Sequence, residues 1–249
     1  MIDIHAHILP GFDDGSGDME TSIVMAEMAA GSGVTAIIAT PHCNQRGMYE
    51  NYVSRNLLMR MDDFRNEIKN ENIDIQIGLG MEIFCTHEVP RLLKEKKLLT
   101  LNNSKYVLVE FGFRMDAGRM QRMLFPILDA GYVPIVAHPE RYYDLQDQPE
   151  IIADWMHEGI GMQINKGSLL GRFGRDARSF AHTMMRHGLV TCVASDAHGC
   201  ESRTPDMAEI AEYISTQYSP MEAERLLIDN PTRIFENKPL LSGEDVEMY

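Results

Sequence analysis

Seven short apolar runs, nearly all with a histidine or another polar residue at or just beyond the C-terminal end, constrain this chain most tightly. They are Ile2 to Ile8, Val34 to Ala39, Ile73 to Gly80, Tyr106 to Glu110, Val133 to Ala137, Gly161 to Asn165 and Leu189 to Ala194. β-Branched residues are frequent in them and most are too short for a helix, which reads as buried parallel strands. Stretches with helical spacing separate them, so the pattern is strand, crossover helix, parallel strand. Closure into a barrel is the economical arrangement, because it gathers the polar strand ends on one C-terminal face. An open doubly wound sheet would collect ligands only from neighbouring strands at a switch point, and here they come from at least five.

The helical patterns run from about Met19 to Ala30, Tyr52 to Asn70, through Val89 to Leu93, then Arg119 to Ala130, Ile151 to Glu158 and Asp176 to Arg186. Two more, Met207 to Gln217 and Pro220 to Ile228, precede a short last helix opened by Asn230-Pro231-Thr232. With no linker or composition shift across 249 residues, a single domain is expected, followed from about Lys238 to Tyr249 by an acidic, partly disordered tail.

A formal net charge of −14 supplies no basic excess to displace counterions from phosphates, so nucleic acid is not an expected partner. No apolar run is long enough to cross a bilayer, and the start has no basic n-region or apolar h-region. A cytoplasmic protein without membrane insertion is therefore expected, with Cys43, Cys85, Cys192 and Cys200 as free thiols. A homo-oligomer remains open.

The first run sets the chemistry. Ile2, Ile4, Ala6 and Ile8 alternate with Asp3, His5 and His7, so the two histidines share a strand face. Collected over all strand ends, His5, His7, Asp14, His42, Glu82, Glu110, His138, Asp196 and His198 are nine ligand-type side chains. Such a set implies metal binding, and more ligands than one ion accepts implies two or three ions. Nitrogen and oxygen donors without thiolate favour manganese, iron or zinc.

The segments His5-Ala6-His7-Ile8-Leu9-Pro10-Gly11-Phe12-Asp13-Asp14, Thr40-Pro41-His42, Gly80-Met81-Glu82, Ala137-His138-Pro139-Glu140-Arg141, Ala194-Ser195-Asp196-Ala197-His198 and Arg203-Thr204-Pro205 resemble the PHP (polymerase and histidinol phosphatase) superfamily. Within it they are similar to the bacterial manganese-dependent protein tyrosine phosphatases of capsule and exopolysaccharide biosynthesis. The resemblance implies a distorted TIM-like (β/α)7 barrel with its metal site at the C-terminal face. It implies three divalent ions, one on His5, His7, Glu82 and Asp196, one on Glu82, Glu110 and His138, and one on Asp14, His42 and His198. Arg141 and Arg203 match the family's phosphate-binding arginines, with Arg46 as a weaker candidate, and the implied substrate is the tyrosine-rich tail of an autokinase.

Cys85 to Arg91 fits the bare Cys-x5-Arg spacing of thiol-dependent tyrosine phosphatases. The five residues between them contain no glycine, and Pro90 has no N–H to offer a phosphate, so the thiol route is rejected. The metal reading needs no covalent intermediate. A water between two ions, its pKa lowered from about 15.7 towards 7, would attack phosphorus in line, with His198 or a metal-bound water as candidate acid. A small-molecule phosphoesterase of the histidinol phosphatase kind and a non-catalytic metal- and phosphate-binding module are the rival readings.

Overall fold

The structure, a computed structural model, describes residues 1–146 and 148–241. In chain order the elements are β1 (Ile2–Ala6), α1 (Met19–Gly31), β2 (Ala36–Ala39), β3 (His42–Cys43), α2 (Arg55–Asn70), β4 (Gln76–Leu79), β5 (Glu82–Phe84) and α3 (Val89–Lys94). Then follow β6 (Tyr106–Glu110), α4 (Ala117–Asp129), β7 (Val133–Ala137), α5 (Pro149–His157), β8 (Gly161–Asn165), α6 (Lys166–Leu169), α7 (Arg175–Arg186), β9 (Cys192–Ala194), α8 (Ala208–Gln217), α9 (Pro220–Glu224) and α10 (Asn230–Phe235). Four helices start where a side chain accepts an otherwise unpaired N–H: Asp18 caps α1, Ser54 caps α2, Asp116 caps α4 and Ser219 caps α9.

All strand pairs are parallel, in the orders β1-β2-β4 and β3-β5-β6-β7-β8-β9. The two sheets are one surface. Thr40-Pro41 interrupts what would be a single strand β2/β3, and Gly80-Met81 interrupts β4/β5; Gly80 N–H to Ala39 O (2.8 Å) and Glu82 N–H to Pro41 O (3.2 Å) carry the pairing across both breaks. The seven expected strand positions are thus present in sequence order. The outer positions meet where Ala6 bridges Ala197, with His7 N–H to Ala197 O at 2.8 Å and Asp196 N–H to His5 O at 2.9 Å.

Two apolar clusters mark the two faces of this sheet. Ile4, Ile38, Leu108, Ile135, Ala137, Cys192 and Ala194 pack together inside, floored by Leu101 and Ile234. The larger cluster, including Met25, Leu57, Phe64, Leu124, Trp155 and Ala181, lies between strands and helices. Strict alternation in the first run does not survive. Asp3 pairs with Ile37 and Ala6 with Ala39, one residue more on β1 than on β2, so the strand carries a bulge. Its effect is that Ile4 belongs to the inner cluster and Ala6 to the outer one, while His5 and His7 both turn to the mouth.

The short last helix does not start afresh at Asn230: a π-helical turn, Arg225–Asp229, runs from α9 straight into α10. Lys238 to Leu241 is held across the floor by Tyr106 Oη on Lys238 O (2.6 Å) and Leu241 N–H on Asn230 Oδ1 (2.8 Å). The rest of the expected tail, 242–249, lies outside the described residues. Among the described residues no helix is long and apolar enough to cross a membrane.

Candidate metal centre

The nine expected ligands converge at the C-terminal mouth of the strands. Glu82, at the start of β5, lies in the middle: its Oε2 is 3.2 Å from His5 Nε2, 3.1 Å from His7 Nε2 and 3.1 Å from His42 Nδ1, and its Oε1 is 2.8 Å from His138 Nε2. Asp196 Oδ1 faces His5, His7 and His198 at 3.4, 3.5 and 3.6 Å. Asp14, the exposed member, reaches His42 Nε2 at 3.5 Å and His198 Nε2 at 3.6 Å. His138 and Asp196 have left-handed backbones (φ 39° and 50°), a strained conformation that re-aims a side chain just past a strand end.

Three overlapping donor groups result, each with its atoms within 4.8 Å of one another: His5, His7, Glu82 and Asp196; His7, Asp14, His42 and His198; His42, Glu82 and Glu110. The first coincides with the set expected for one ion. His7 joins the set expected around Asp14, and His42 stands with Glu82 and Glu110, where His138 touches Glu82 alone. Divalent ions fit this centre. His42 Nδ1, Glu110 Oε1, His138 Nδ1 and Asp196 Oδ1 are buried without a hydrogen bond, an arrangement that is costly unless a cation receives the lone pairs.

Neighbouring side chains set which imidazole nitrogen faces inward. His7 Nδ1 is 2.7 Å from Asp13 Oδ2, and His5 Nδ1 is 2.8 Å from Gln163 Oε1, leaving both Nε2 atoms for the centre. Gln163 in turn donates to Asn165 Oδ1 (2.9 Å), and Asn165 donates to Asp196 Oδ2 (2.6 Å). Gln163 and Asn165 were not singled out from sequence, although two buried amides at alternate positions of an otherwise apolar strand are a usable signal. Gly15 is needed for close approach: a Cβ there would lie 2.1 Å from the His7 carbonyl oxygen.

The electrostatics follow from burial against crowding. Burial opposes charge on Glu82 and Asp196, but His5 and its neighbours overcome it and hold both carboxyls well below the ordinary range. Glu110 moves the other way, raised by burial and by the charge on Glu82. His198 is pushed down to about 4 by burial and by His7. Asp13 is buried too, yet the His7 charge and the N–H groups of His42 and Gly15 lower it to about 2.

The Asp13 shift has a measurable consequence for chelator-treated protein. A carboxyl lowered by folding stabilises the fold above its unfolded pKa of about 3.9, and that contribution fades as pH falls towards the folded value of about 2. By the same linkage Asp13→Asn is expected to lose about 2 kcal/mol at pH 7 and almost nothing at pH 2. Urea unfolding at both pH values checks it, and an equal loss at both would mean that shape rather than charge is at stake.

Arg141 and Arg203 stand at the mouth. Arg203 Nη2 is 2.5 Å from Asp196 Oδ2 and Arg141 Nη1 is 3.8 Å from the same oxygen. Arg46 is exposed in the turn from Gln45 to Tyr49, and among the described residues it makes no ion pair with the cluster. Tyr49 from the same turn does stack on His42, 5.1 Å between ring centroids. Cys85 is fully buried, burial pushes its thiol well up, and Arg91 is an exposed partner of Glu88 and Glu95, so the two ends of the Cys-x5-Arg spacing do not share a site.

Comparison with known proteins agrees with this geometry. Residues 1–236 match the family described as capsular polysaccharide synthesis, CpsB/CapC. Tyrosine-protein phosphatase YwqE of Bacillus subtilis (strain 168) is 35% identical over 240 residues, 96% of this chain and 93% of that one. Tyrosine-protein phosphatase CpsB of Streptococcus agalactiae serotype III (strain NEM316) is 32% identical over 249 residues, 95% of this chain and 99% of that one. A chain from the crystal structures of YwqE from Bacillus subtilis and CpsB from Streptococcus pneumoniae, described as unique metal-dependent tyrosine phosphatases, superposes with a TM-score of 0.90 at 33% identity over 97% of each chain. On its sequence, its strand order and its mouth of histidines and carboxylates, the chain belongs to the CpsB/CapC family.

Proposed function

We propose that this protein is a metal-dependent protein-tyrosine phosphatase acting on the phosphotyrosine tail of an autokinase in capsular or exopolysaccharide synthesis. The three overlapping nitrogen and oxygen donor groups carry the reading, because they lie beside two guanidinium groups that share one carboxylate oxygen. His5, His7, Glu82 and Asp196 would hold one ion, Asp14, His42 and His198 a second, and Glu82, Glu110 and His138 a third, with manganese the metal that suits mixed imidazole and carboxylate donors. Such ions supply Lewis acidity, which stabilises charge on phosphoryl oxygens and makes water a nucleophile near neutral pH.

The protein's own groups do the rest. Arg141 and Arg203 present permanently charged, planar forks to the phosphoryl oxygens and hold phosphorus over the centre. Asp13 and Gln163 hold the outer nitrogens of His7 and His5 and so turn both Nε2 atoms towards the ions they would bind. His198 would serve as a ligand beside His7, Asp14 and His42, where burial and the neighbouring His7 lower its affinity for a proton. A phenolate leaving group, of pKa about 10, needs less protonation help than an alkoxide.

The test is phosphate release from a phosphotyrosine peptide. Chelated enzyme is expected to be inactive, manganese to restore turnover, and Cys85→Ser to retain it. Faster turnover of histidinol phosphate than of the peptide would replace this reading with a small-molecule phosphoesterase, and loss of activity in Cys85→Ser at unchanged metal content would revive a thiol mechanism.

A further inference from the structure

Arg141 stands between the centre and a groove that the catalytic reading does not use. Its guanidinium carbon is 4.6 Å from the ring centroid of Phe113 and 4.5 Å from that of Phe173, and Phe173 also lies 5.7 Å from the Arg203 guanidinium. Two rings on separate loops therefore clamp one phosphate-facing arginine. Outward from the clamp run two cavities of about 290 and 540 Å³, which share Phe113 and Tyr143. Both shared rings face solvent, Phe113 at 41% and Tyr143 at 59% exposure, so they form a wall open to a ligand.

The charge along this wall is opposite to that of the molecule. Among the described residues, Arg114, Arg119, Arg141 and Arg175 line the two cavities with Asp176 as the one carboxylate, on a chain whose formal charge is −14. The nearby carboxylates Asp116 and Asp144 are occupied at the start of α4, accepting the N–H of Arg119 and of Ala117, each at 2.8 Å. An acidic polypeptide is repelled by most of this surface and attracted here. A phosphotyrosine held by Arg141 and Arg203 must send its main chain out of the mouth, and the groove begins at Arg141.

We infer that this groove seats the polypeptide flanking the phosphotyrosine and selects flanks rich in aspartate and glutamate. The inference rests on the phosphotyrosine reading of the centre. The arginines would pair with flanking carboxylates, while Phe113 and Tyr143 pack on the aliphatic and aromatic parts of the same segment.

The test compares two phosphotyrosine peptides of equal length with the manganese-loaded full chain, one with Asp and Glu flanks and one with Asn and Gln. The wild type is expected to favour the acidic peptide in kcat/KM by about tenfold, mainly through KM, the size of a few screened surface pairs. That preference should shrink as salt is raised. In Arg114→Glu/Arg119→Glu/Arg175→Glu the ratio should fall to about one or invert, following the local charge. Because the ratio is taken within each preparation, a partly folded variant does not distort it. A wild-type ratio near one, or a ratio unmoved in the triple variant, overturns the groove and leaves the phosphatase standing. Absence of phosphate release from both peptides overturns both.

Discussion

Glu82→Gln is expected to cut phosphate release from a phosphotyrosine peptide by about a thousandfold, the equivalent of several kcal/mol of lost charge stabilisation, and to lower the bound manganese. Among the described residues no other carboxylate is so placed. Its two oxygens are within 3.2 Å of four imidazoles from three strand ends, and it belongs to two of the three donor groups. Glutamine keeps the shape and removes the charge, and its amide nitrogen directs hydrogens at either a histidine or a cation. Since four basic side chains would then lack their shared acceptor, the loss should exceed that from the exposed Asp14. Metal content by emission spectroscopy and kcat/KM at saturating manganese check it. Full activity at wild-type metal content would remove Glu82 from the centre.

The seven strand positions were readable because each is a short run of mostly apolar residues, and the candidate ligands stood out because they lie in or just beyond the C-terminal parts of such runs. What local pattern does not contain is pairing between distant strands. The bulge at Ile4 and His5 exists because β1 carries one residue more than β2 between matched pairs, a relation no window over residues 2–8 includes. The breaks at Thr40-Pro41 and Gly80-Met81 depend likewise on neighbouring strands.

Within the centre, imidazoles and carboxylates announce themselves, whereas amides do not. Gln163 and Asn165 stand out as two amides in an apolar strand, but what they hold is seen only once their positions beside His5 and Asp196 are known. Arg46, four residues after His42, is exposed and makes no ion pair with the cluster among the described residues, because closeness in sequence to His42 does not by itself bring a side chain to the mouth. Phe113 and Phe173 carry no signal at all without the arginine between them.

The two arginines are held differently. Arg203 reaches Asp196 twice, through Nη2 on Oδ2 at 2.5 Å and Nε on the main-chain oxygen at 3.2 Å, and its own carbonyl accepts the His198 N–H at 2.8 Å from a left-handed backbone. Arg141 has the looser ion pair and two aromatic neighbours. Lysine at either position retains charge and loses the fork, so Arg203→Lys and Arg141→Lys are each expected to lower kcat/KM by about 10² to 10³, the range for removing one preorganised donor from a transition-state oxyanion. Because both guanidinium groups share Asp196 Oδ2 and would hold one phosphoryl group, the double variant should lose less than the product of the single losses. Inhibition by inorganic phosphate should weaken in all three variants. Phosphate inhibition unchanged in both single variants would mean that the arginines hold Asp196 in place and do not touch the substrate.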